Sequence, residues 1–264
     1  MYRGHWGLSR APFQTVPDPD FFCPFPAYQD ILDRLVYVAE YGKAVALVSG
    51  EIGAGKSTLS RVLIFRLSEE KYDVGLVINP SIPAKELLYE IALQFGVSSP
   101  KGQRSAIFRA INKHVLRNAQ KGRKTVLIID EAHTITQKAS FEELRMLMNF
   151  QLGDRHLLTL FLLGQPDLNE KITQQPPLNQ RVAVRMNIGA LSVEETASYI
   201  ECRLEKAGAK RQIFTDEAIR VIHREADGLP RSINNHCDLC LLEGMKEQMK
   251  EIDASLVKSV MALV

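Results

Sequence analysis

The sequence predicts an α/β fold in which a parallel five-stranded sheet flanked by helices is followed by a small C-terminal α-helical domain. Three observations support this prediction. Short apolar runs alternate with helical stretches as far as about residue 190, a glycine-rich motif joins the first run to the next helix, and no strand-like run follows. Alternation of strands and helices is typical of parallel sheets with right-handed crossovers. A chain of 264 residues is long enough for one such domain and a smaller second one.

Five apolar runs are the predicted strands of the sheet. The first four are hydrophobic almost without interruption, which is typical of strands covered by helices on both faces. The predicted strands are residues 44–49, 74–78, 125–129, 157–163 and 184–188. Helices at 27–41 and 58–67 are also expected, the first from apolar residues at helical spacing.

The pattern divides the chain into three predicted segments: an N-terminal arm (1–26), an α/β core (27–190) and a helical lid (191–264). The arm is rich in proline and aromatic residues. We expect it to be ordered but irregular, because its six aromatic side chains would be costly to expose. The first lid helix begins with the capping signature Ser192-Val193-Glu194-Glu195, and the third begins at a proline. The four predicted lid helices are residues 192–207, 215–226, 230–249 and 253–263.

The composition is that of a soluble globular protein. Hydrophobic residues make up 45%, charged residues 24%, and the formal net charge of +2 indicates no particular partner. The sequence contains no apolar run of about 18 residues and no signal-peptide pattern, so we expect no membrane span and a cytoplasmic location. The four cysteines are not spaced like a disulfide framework, and a chain of this length does not need one. They are Cys23, Cys202, Cys237 and Cys240.

The glycine-rich motif matches the pattern G-x-x-x-x-G-K-[ST] of a phosphate-binding P-loop (Walker A), between a predicted strand and a predicted helix. Its glycines let the backbone N–H groups wrap a phosphate, and the next helix presents the positive end of its dipole. Lys56 is expected to reach the β- and γ-phosphates of ATP, and the Ser57 hydroxyl to bind Mg²⁺. The predicted nucleotide-binding residues are Gly50, Glu51, Ile52, Gly53, Ala54, Gly55, Lys56, Ser57 and Thr58.

Two acids directly follow the third predicted strand, as in a Walker B motif. Asp130 would lie at the carboxyl end of that strand, where ligands of parallel sheets bind, and is the second predicted Mg²⁺ ligand. Glu131 is the predicted general base that polarises the attacking water. The four residues 130–133 also resemble a helicase box, but no further helicase motif follows them.

Beyond these two motifs, the chain resembles AAA+ ATPases, in particular the ExeA/GspA-type secretion ATPases. The resemblance covers nearly the whole chain, and its Gln-Pro and Pro-Arg signatures are more specific than a P-loop alone. Segments that carry it include Trp6-Gly7-Leu8, Ala11-Pro12-Phe13, Asp130-Glu131-Ala132-His133, Leu163-Gly164-Gln165-Pro166 and Gly228-Leu229-Pro230-Arg231.

The resemblance implies further site residues. Gln165 matches the sensor 1 position, which contacts the γ-phosphate or the lytic water, and Arg231 matches the sensor 2 arginine of the lid. Arg181 matches an arginine finger that reaches the ATP of a neighbouring subunit; Arg185 is a rival that we favour less. A finger acts only in an assembly, so the resemblance implies a homo-oligomeric ring or filament that uses ATP and Mg²⁺.

The process that ATP drives is left open by the sequence. The resemblance implies an envelope or secretion component as partner; a DNA-binding regulator of transposition (TniB/TnsC-like), with a transposase and double-stranded DNA as partners, is the second interpretation. A nucleotide switch that barely hydrolyses ATP is the third. Residues 91–129 hold eight Lys or Arg and no acid, and Arg109, Lys113 and Arg117 recur every four residues. This stripe is either a solvated or subunit-facing surface or a contact to nucleic-acid phosphates.

Two smaller features also have alternative interpretations. His236, Cys237 and Cys240 could suggest a metal site, but no second pair of ligands accompanies them, so packing within a lid helix is favoured. Arm residues 8, 12 and 13 could lie beside the adenine or simply pack in the core.

Overall fold

The computed structural model, which describes residues 1–97, 103–153 and 155–262, contains a parallel five-stranded sheet flanked by helices. Each predicted strand coincides with an observed one, with ends that differ by at most two residues. The sheet strands are β1 (Val45–Gly50), β2 (Tyr72–Val77), β3 (Lys124–Ile129), β6 (Leu158–Gly164) and β7 (Val182–Ile188). A small hairpin of β4 (Gln151–Leu152) and β5 (Arg155–His156), which the sequence did not predict, precedes β6.

The strand order is β2-β3-β6-β1-β7, and every pairing is parallel. Strand β6 therefore lies between β1 and β3. In register, Ser49 of β1 pairs with Gly164 of β6, and Ile129 of β3 pairs with Leu162 of β6. The residues that follow these three strands consequently emerge side by side at one edge of the sheet, which is the edge where parallel sheets bind ligands.

The helices alternate with the strands as predicted. Helix α5 buries Ile107, Ile111 and Val115, whose spacing of four residues defines one helical face against the core. The helices are α1 (Arg3–Trp6), α2 (Pro26–Glu40), α3 (Lys56–Arg66), α4 (Ala84–Gln94), α5 (Arg104–Gln120), α6 (Lys138–Leu147), α7 (Leu168–Thr173), α8 (Pro176–Asn179), α9 (Val193–Lys206), α10 (Asp216–Glu225), α11 (Pro230–Lys246) and α12 (Ala254–Met261). No helix within the described ranges is long and apolar enough to cross a bilayer.

The chain forms two compact units. We call the first the helical unit (Met1–Pro26, Ile52–Thr58 and Gly189–Val264) and the second the sheet unit (Ala27–Glu51 and Leu59–Ile188). The limits of arm, core and lid given by the sequence pattern stay a prediction.

Side-chain caps begin three of the four long helices in the helical unit. Ser192 and Glu195 form the predicted capping box of α9, in which each side chain accepts a hydrogen bond from the other's backbone N–H. Thr215 caps α10, and Asp253 caps α12 by accepting from two backbone N–H groups. Helix α11 instead begins with Pro230, which tolerates the first turn because its missing N–H would be unpaired there. The predicted end of the last helix, residue 263, lies outside the described residues.

The N-terminal arm packs into the helical unit. Trp6 is only 3% exposed, and its indole N–H donates to the Leu241 carbonyl of α11 at 2.8 Å. Gly244 makes this possible, because a Cβ there would lie 2.9 Å from the Trp6 ring. Phe13 is buried edge-on against Phe214. The arm is thus ordered, as its aromatic content predicted.

A buried arginine fastens the middle of the arm to α9. The Arg203 guanidinium donates to the carbonyl oxygens of Pro12 at 2.6 Å and Gln14 at 3.2 Å. It also donates to the Tyr199 hydroxyl, which in turn donates to Asn234 of α11. Burial raises the pKa of Tyr199, so this phenol stays protonated as the donor. The network joins three segments of the helical unit.

A disulfide between Cys23 and Cys202 makes a second link from the arm to α9, across Cα atoms 6.3 Å apart. The cysteine spacing, which is not that of a disulfide framework, did not predict this bond. No spacing rule reveals this bond, because its partners are 179 residues apart and meet only when the arm folds onto α9. Disulfides are rare in cytosolic proteins, and the cytoplasmic location stays a prediction.

Candidate functional site

The phosphate-binding loop has the backbone that its sequence predicted. Strand β1 ends at Gly50, α3 begins at Lys56, and the turn between them holds Gly53 and Gly55 at φ of 84° and 96°. These left-handed conformations favour glycine and let the backbone N–H groups of the turn curve around one centre. Lys56 is only 5% exposed, so its side chain is largely shielded from bulk water.

The N-terminus of α11 rests on this loop within the helical unit. The Arg231 backbone N–H donates to the Gly53 carbonyl at 3.2 Å, and a Cβ on Gly53 would lie only 2.8 Å from the Arg231 Cβ. Glycine at position 53 is thus required for this approach as well as for its backbone conformation. The Arg231 side chain is exposed and follows the first helical residue, Pro230.

The path of the chain into α11 is fixed by Gly228. This residue has φ of 67°, and its carbonyl accepts from the Leu191 N–H at 2.9 Å. A Cβ at this position would lie 2.3 Å from the Leu191 carbonyl oxygen, which is far inside contact distance. In the Gly-Leu-Pro-Arg signature, Gly228 is therefore required for packing, whereas the role predicted for Arg231 is functional.

The two Walker B acids differ in their surroundings. Asp130 is 2% exposed, its N–H donates to the Val77 carbonyl, and its carboxylate accepts from the Glu131 N–H at 2.9 Å. Glu131 has φ of 51°, an uncommon conformation for a residue other than glycine, and its side chain is 39% exposed. A buried carboxylate and the Ser57 hydroxyl are both hard oxygen donors, which suits Mg²⁺. The more open Glu131 suits a group that must reach water.

Gln165 directly follows β6, and its amide lies 2.7 Å from Nε2 of the His133 imidazole. The same His133 nitrogen is 3.7 Å from the Glu131 carboxylate. The strand order thus brings Glu131 and Gln165 to the same neighbourhood, with a histidine that sequence reasoning passed over. The histidine is visible in the sequence as the last residue of Asp-Glu-Ala-His. Its contact with Gln165, however, depends on β6 lying next to β3.

Arg185 lies in the edge strand β7, and Arg181 directly precedes this strand. Arg181, just before the strand, is half-buried, and one guanidinium nitrogen donates to Asn149 at 2.7 Å. Its other terminal nitrogen is buried without a hydrogen-bond partner in the described part of the chain. Arg185 is exposed and donates to Asn169 and Asn179. That one of the two acts as an arginine finger stays a prediction.

The stripe on α5 is exposed. Arg109, Lys113 and Arg117 point away from the buried face of the helix, and none makes an ion pair with the residues described here. Lys101, from the same basic stretch, lies outside the described residues.

Cys237 and Cys240 are buried in α11, the lid helix in which packing was favoured. Burial raises the pKa of both thiols, that of Cys240 to about 12. Within the described ranges, no three His, Cys, Asp or Glu side chains are grouped to hold a metal ion. Leu8, Pro12 and Phe13 of the arm are buried inside the helical unit, and a role at adenine stays a prediction.

Comparison with known sequences places these motifs in context. A sequence model of the family described as an AAA domain matches residues 39–172. General secretion pathway protein A of Aeromonas hydrophila is 33% identical over 92% of this chain, which covers 44% of that protein. An uncharacterised HTH-type transcriptional regulator of Methanocaldococcus jannaschii is 33% identical over 52% of this chain, and 34% of that protein is covered. The chain thus spans less than half the length of these relatives.

Solved structures share the fold at low sequence identity. The Aeropyrum pernix ORC1 protein in complex with DNA superposes with a TM-score of 0.73 and 16% identity, over 96% of this chain and 69% of that one. The Thermotoga maritima RuvB Holliday junction branch migration motor superposes with a TM-score of 0.65 and 19% identity, over 95% of this chain and 73% of that one. These likenesses support the sheet and the helical region that follows it.

Proposed function

Because the chain belongs to the AAA family of P-loop ATPases, we propose that it hydrolyses ATP in a reaction that requires Mg²⁺. In this proposal the protein acts as a homo-oligomer and serves a secretion or envelope-assembly process. The observation that carries the proposal is the strand order. With β6 between β1 and β3, the start of the P-loop, the Walker B acids and Gln165 follow neighbouring strand ends.

In this proposal, the chain's own residues divide the work. Lys56 and the backbone of the loop hold the phosphates of ATP, while Ser57 and Asp130 supply oxygen ligands to Mg²⁺. Bound Mg²⁺ neutralises charge on the transferring phosphoryl group. Glu131 accepts the proton of the attacking water, since its carboxylate is open to solvent whereas that of Asp130 is buried.

Three further residues link nucleotide state to movement. Gln165 contacts the γ-phosphate or the lytic water, and Arg231 reports nucleotide state from the start of α11. The backbone bond from Arg231 to Gly53 supports this role, because it ties that helix to the phosphate-binding loop. Arg181, or its rival Arg185, reaches the site of a neighbouring subunit, which is the reason for proposing an assembly.

The secretion process is proposed from the relative in Aeromonas hydrophila, whose name assigns it to the general secretion pathway. The partner would be a secretion or envelope component that binds the assembly in one nucleotide state. The matched region covers 44% of that relative, so the proposal concerns the nucleotide-driven part of such a system.

The test combines nucleotide binding with turnover. We expect Lys56→Ala to lose binding of labelled ATP, whereas Lys85→Ala, which removes an exposed lysine of α4, should behave as the parent protein. Glu131→Gln should bind ATP but turn it over about 100-fold more slowly or worse, because it lacks the general base. Tight binding by Lys56→Ala, or normal turnover by Glu131→Gln, would overturn these assignments. Tight binding with almost no turnover in the parent protein would favour a nucleotide switch instead.

A second candidate function, DNA-dependent regulation of transposition, is favoured by the exposed cations of α5. If Arg109, Lys113 and Arg117 contact phosphates, the affinity for double-stranded DNA should fall steeply with salt. Replacing all three with alanine should then lower the slope of log K against log salt by up to about one unit for each lost contact. Stimulation of ATP turnover by DNA would add weight to this candidate. An unchanged slope in the triple variant would remove the α5 surface as the contact.

A further inference from the structure

His133 occupies a position between two residues of the proposed catalytic site. It belongs to the short 3-10 helix Ala132–Thr134 that follows Glu131, and it is only 9% exposed. Its Nε2 atom lies 2.7 Å from the amide nitrogen of Gln165 and 3.7 Å from the Glu131 carboxylate. The imidazole therefore spans the ends of strands β3 and β6.

The fold holds the histidine closely. A Cβ on Gly164 would lie 3.0 Å from the His133 backbone nitrogen and 3.2 Å from its Cβ, so glycine at the end of β6 makes room for this close approach. The Lys171 ammonium donates to the His133 carbonyl from α7. The segment that carries His133 thus packs against Gly164, which precedes Gln165, and is hydrogen-bonded to Lys171, which follows it in the chain.

The contact between the two side chains constrains their protonation and orientation. Two nitrogens 2.7 Å apart need one donor and one acceptor. Either the Gln165 amide N–H donates to Nε2 and the imidazole proton sits on Nδ1, or the amide is turned so that its oxygen accepts from Nε2–H. Nδ1 is buried without a hydrogen-bond partner among the described residues. Among the described residues, Gln165 is consequently the hydrogen-bond partner of the ring, and the Glu131 carboxylate is its acidic neighbour at 3.7 Å from Nε2.

We propose that His133 is a positioning residue that links the general base Glu131 to the sensor residue Gln165. A shift of the Gln165 amide, such as contact with a γ-phosphate would cause, moves its hydrogen-bond partner, and the imidazole transmits that shift to the Glu131 carboxylate. The base is then correctly placed only when Gln165 is engaged. This inference rests on the proposed function of the two residues.

Two amide variants provide a matched test. The terminal amide of glutamine reaches the position of Nε2, so His133→Gln keeps a partner for Gln165; the shorter amide of His133→Asn reaches only the position of Nδ1. We expect His133→Asn to lower kcat about 10- to 100-fold, the range that a displaced catalytic group costs. KM and the dissociation constant of a non-hydrolysable ATP analogue should stay within about twofold, since no ground-state contact is lost. His133→Gln should restore most of kcat.

A double-variant cycle tests the link itself. If His133 acts through Gln165, then His133→Asn combined with Gln165→Leu should be no slower than Gln165→Leu alone. Multiplied losses would overturn the proposal, as would equal rates for His133→Asn and His133→Gln. A drop in thermal stability that accounts for the lower rate of His133→Asn would also overturn it.

A second readout does not depend on turnover. In the nucleotide-free protein, nitrogen NMR of the six histidines should show a hydrogen-bonded Nε2 in His133, assigned by the absence of its signal from His133→Gln. Gln165→Leu should shift that signal, and an unchanged signal would contradict the contact. Glu131→Gln is measured beside these variants. If Glu131→Gln retains turnover, the proposed role of Glu131 as general base is refuted. If Glu131→Gln is inactive but the losses of His133→Asn and Gln165→Leu multiply in the double variant, the His133 link alone is refuted.

Discussion

Loss of the Cys23–Cys202 disulfide should destabilise the helical unit by an amount that follows from the length of chain it closes. The bond joins residues 179 apart. In the chain-entropy account, a loop of that length constrains the unfolded chain by about 5 kcal/mol at 25 °C, and measured losses are typically about 2–5 kcal/mol. Because urea m-values are about 1–3 kcal/mol/M, a loss of about 2–5 kcal/mol should lower the unfolding midpoint by roughly 1–5 M.

Trp6 offers a selective assay for this effect. It is the one tryptophan of the sequence and is buried in the helical unit, so its fluorescence follows that unit's unfolding in urea. The oxidised parent protein is compared with the reduced protein and with the Cys23→Ser/Cys202→Ser variant. The reduced protein and the variant should share the lower midpoint, and the variant should not respond to reductant. Equal midpoints for all three forms would refute the reasoning.

Three further predictions concern the helical unit and the proposed assembly. Gly228→Ala should lower the free energy of unfolding by more than about 3 kcal/mol, because both its backbone conformation and its Cβ contact are unfavourable, whereas Gly189→Ala, with open space around it, should be near neutral in the same urea titration. Arg203→Met should cost about 3 kcal/mol, since the carbonyl oxygens of the arm lose their charged donor, and should increase proteolysis of the arm. Mixing Arg181→Ala subunits with Lys56→Ala subunits should restore part of the turnover that each lacks alone.

The controls for these predictions are direct. A stable Gly228→Ala protein would show that α11 can begin in another way, and a fully protected arm in Arg203→Met would remove the arginine as its fastening. Mixtures with Arg185→Ala are measured in parallel, because rescue by that variant alone would make Arg185 the finger. Absence of rescue in co-assembled mixtures of either kind argues against action between subunits.

Local signals predicted most of the fold. The five strands are marked by uninterrupted apolar runs, and Ser192 with Glu195 marks the start of α9, because strand burial and helix capping depend on a few consecutive residues. The phosphate-binding loop was equally readable from its spacing. The hairpin Gln151–Leu152 with Arg155–His156 was not, since strands of two residues leave no periodic pattern.

Features that depend on the order of strands or on distant segments could not be read from the sequence. The contact of His133 with Gln165 requires β6 to insert between β1 and β3, and no local pattern sets that order. The approach of Arg231 to Gly53 is also a product of tertiary packing. A resemblance predicted Gln165 and Arg231 as site residues, but the physical neighbours of each came only from the structure.

The arm that packs in the helical unit has a consequence for protein synthesis. Trp6 meets Leu241, 235 residues later in the chain. At about 5–20 residues per second, a ribosome needs roughly 10–50 s to make the segment between them. During that interval the aromatic side chains of the arm lack their native neighbours and are open to chaperones or to misassociation. The helical unit must therefore be completed late, with its earliest and latest segments folding together.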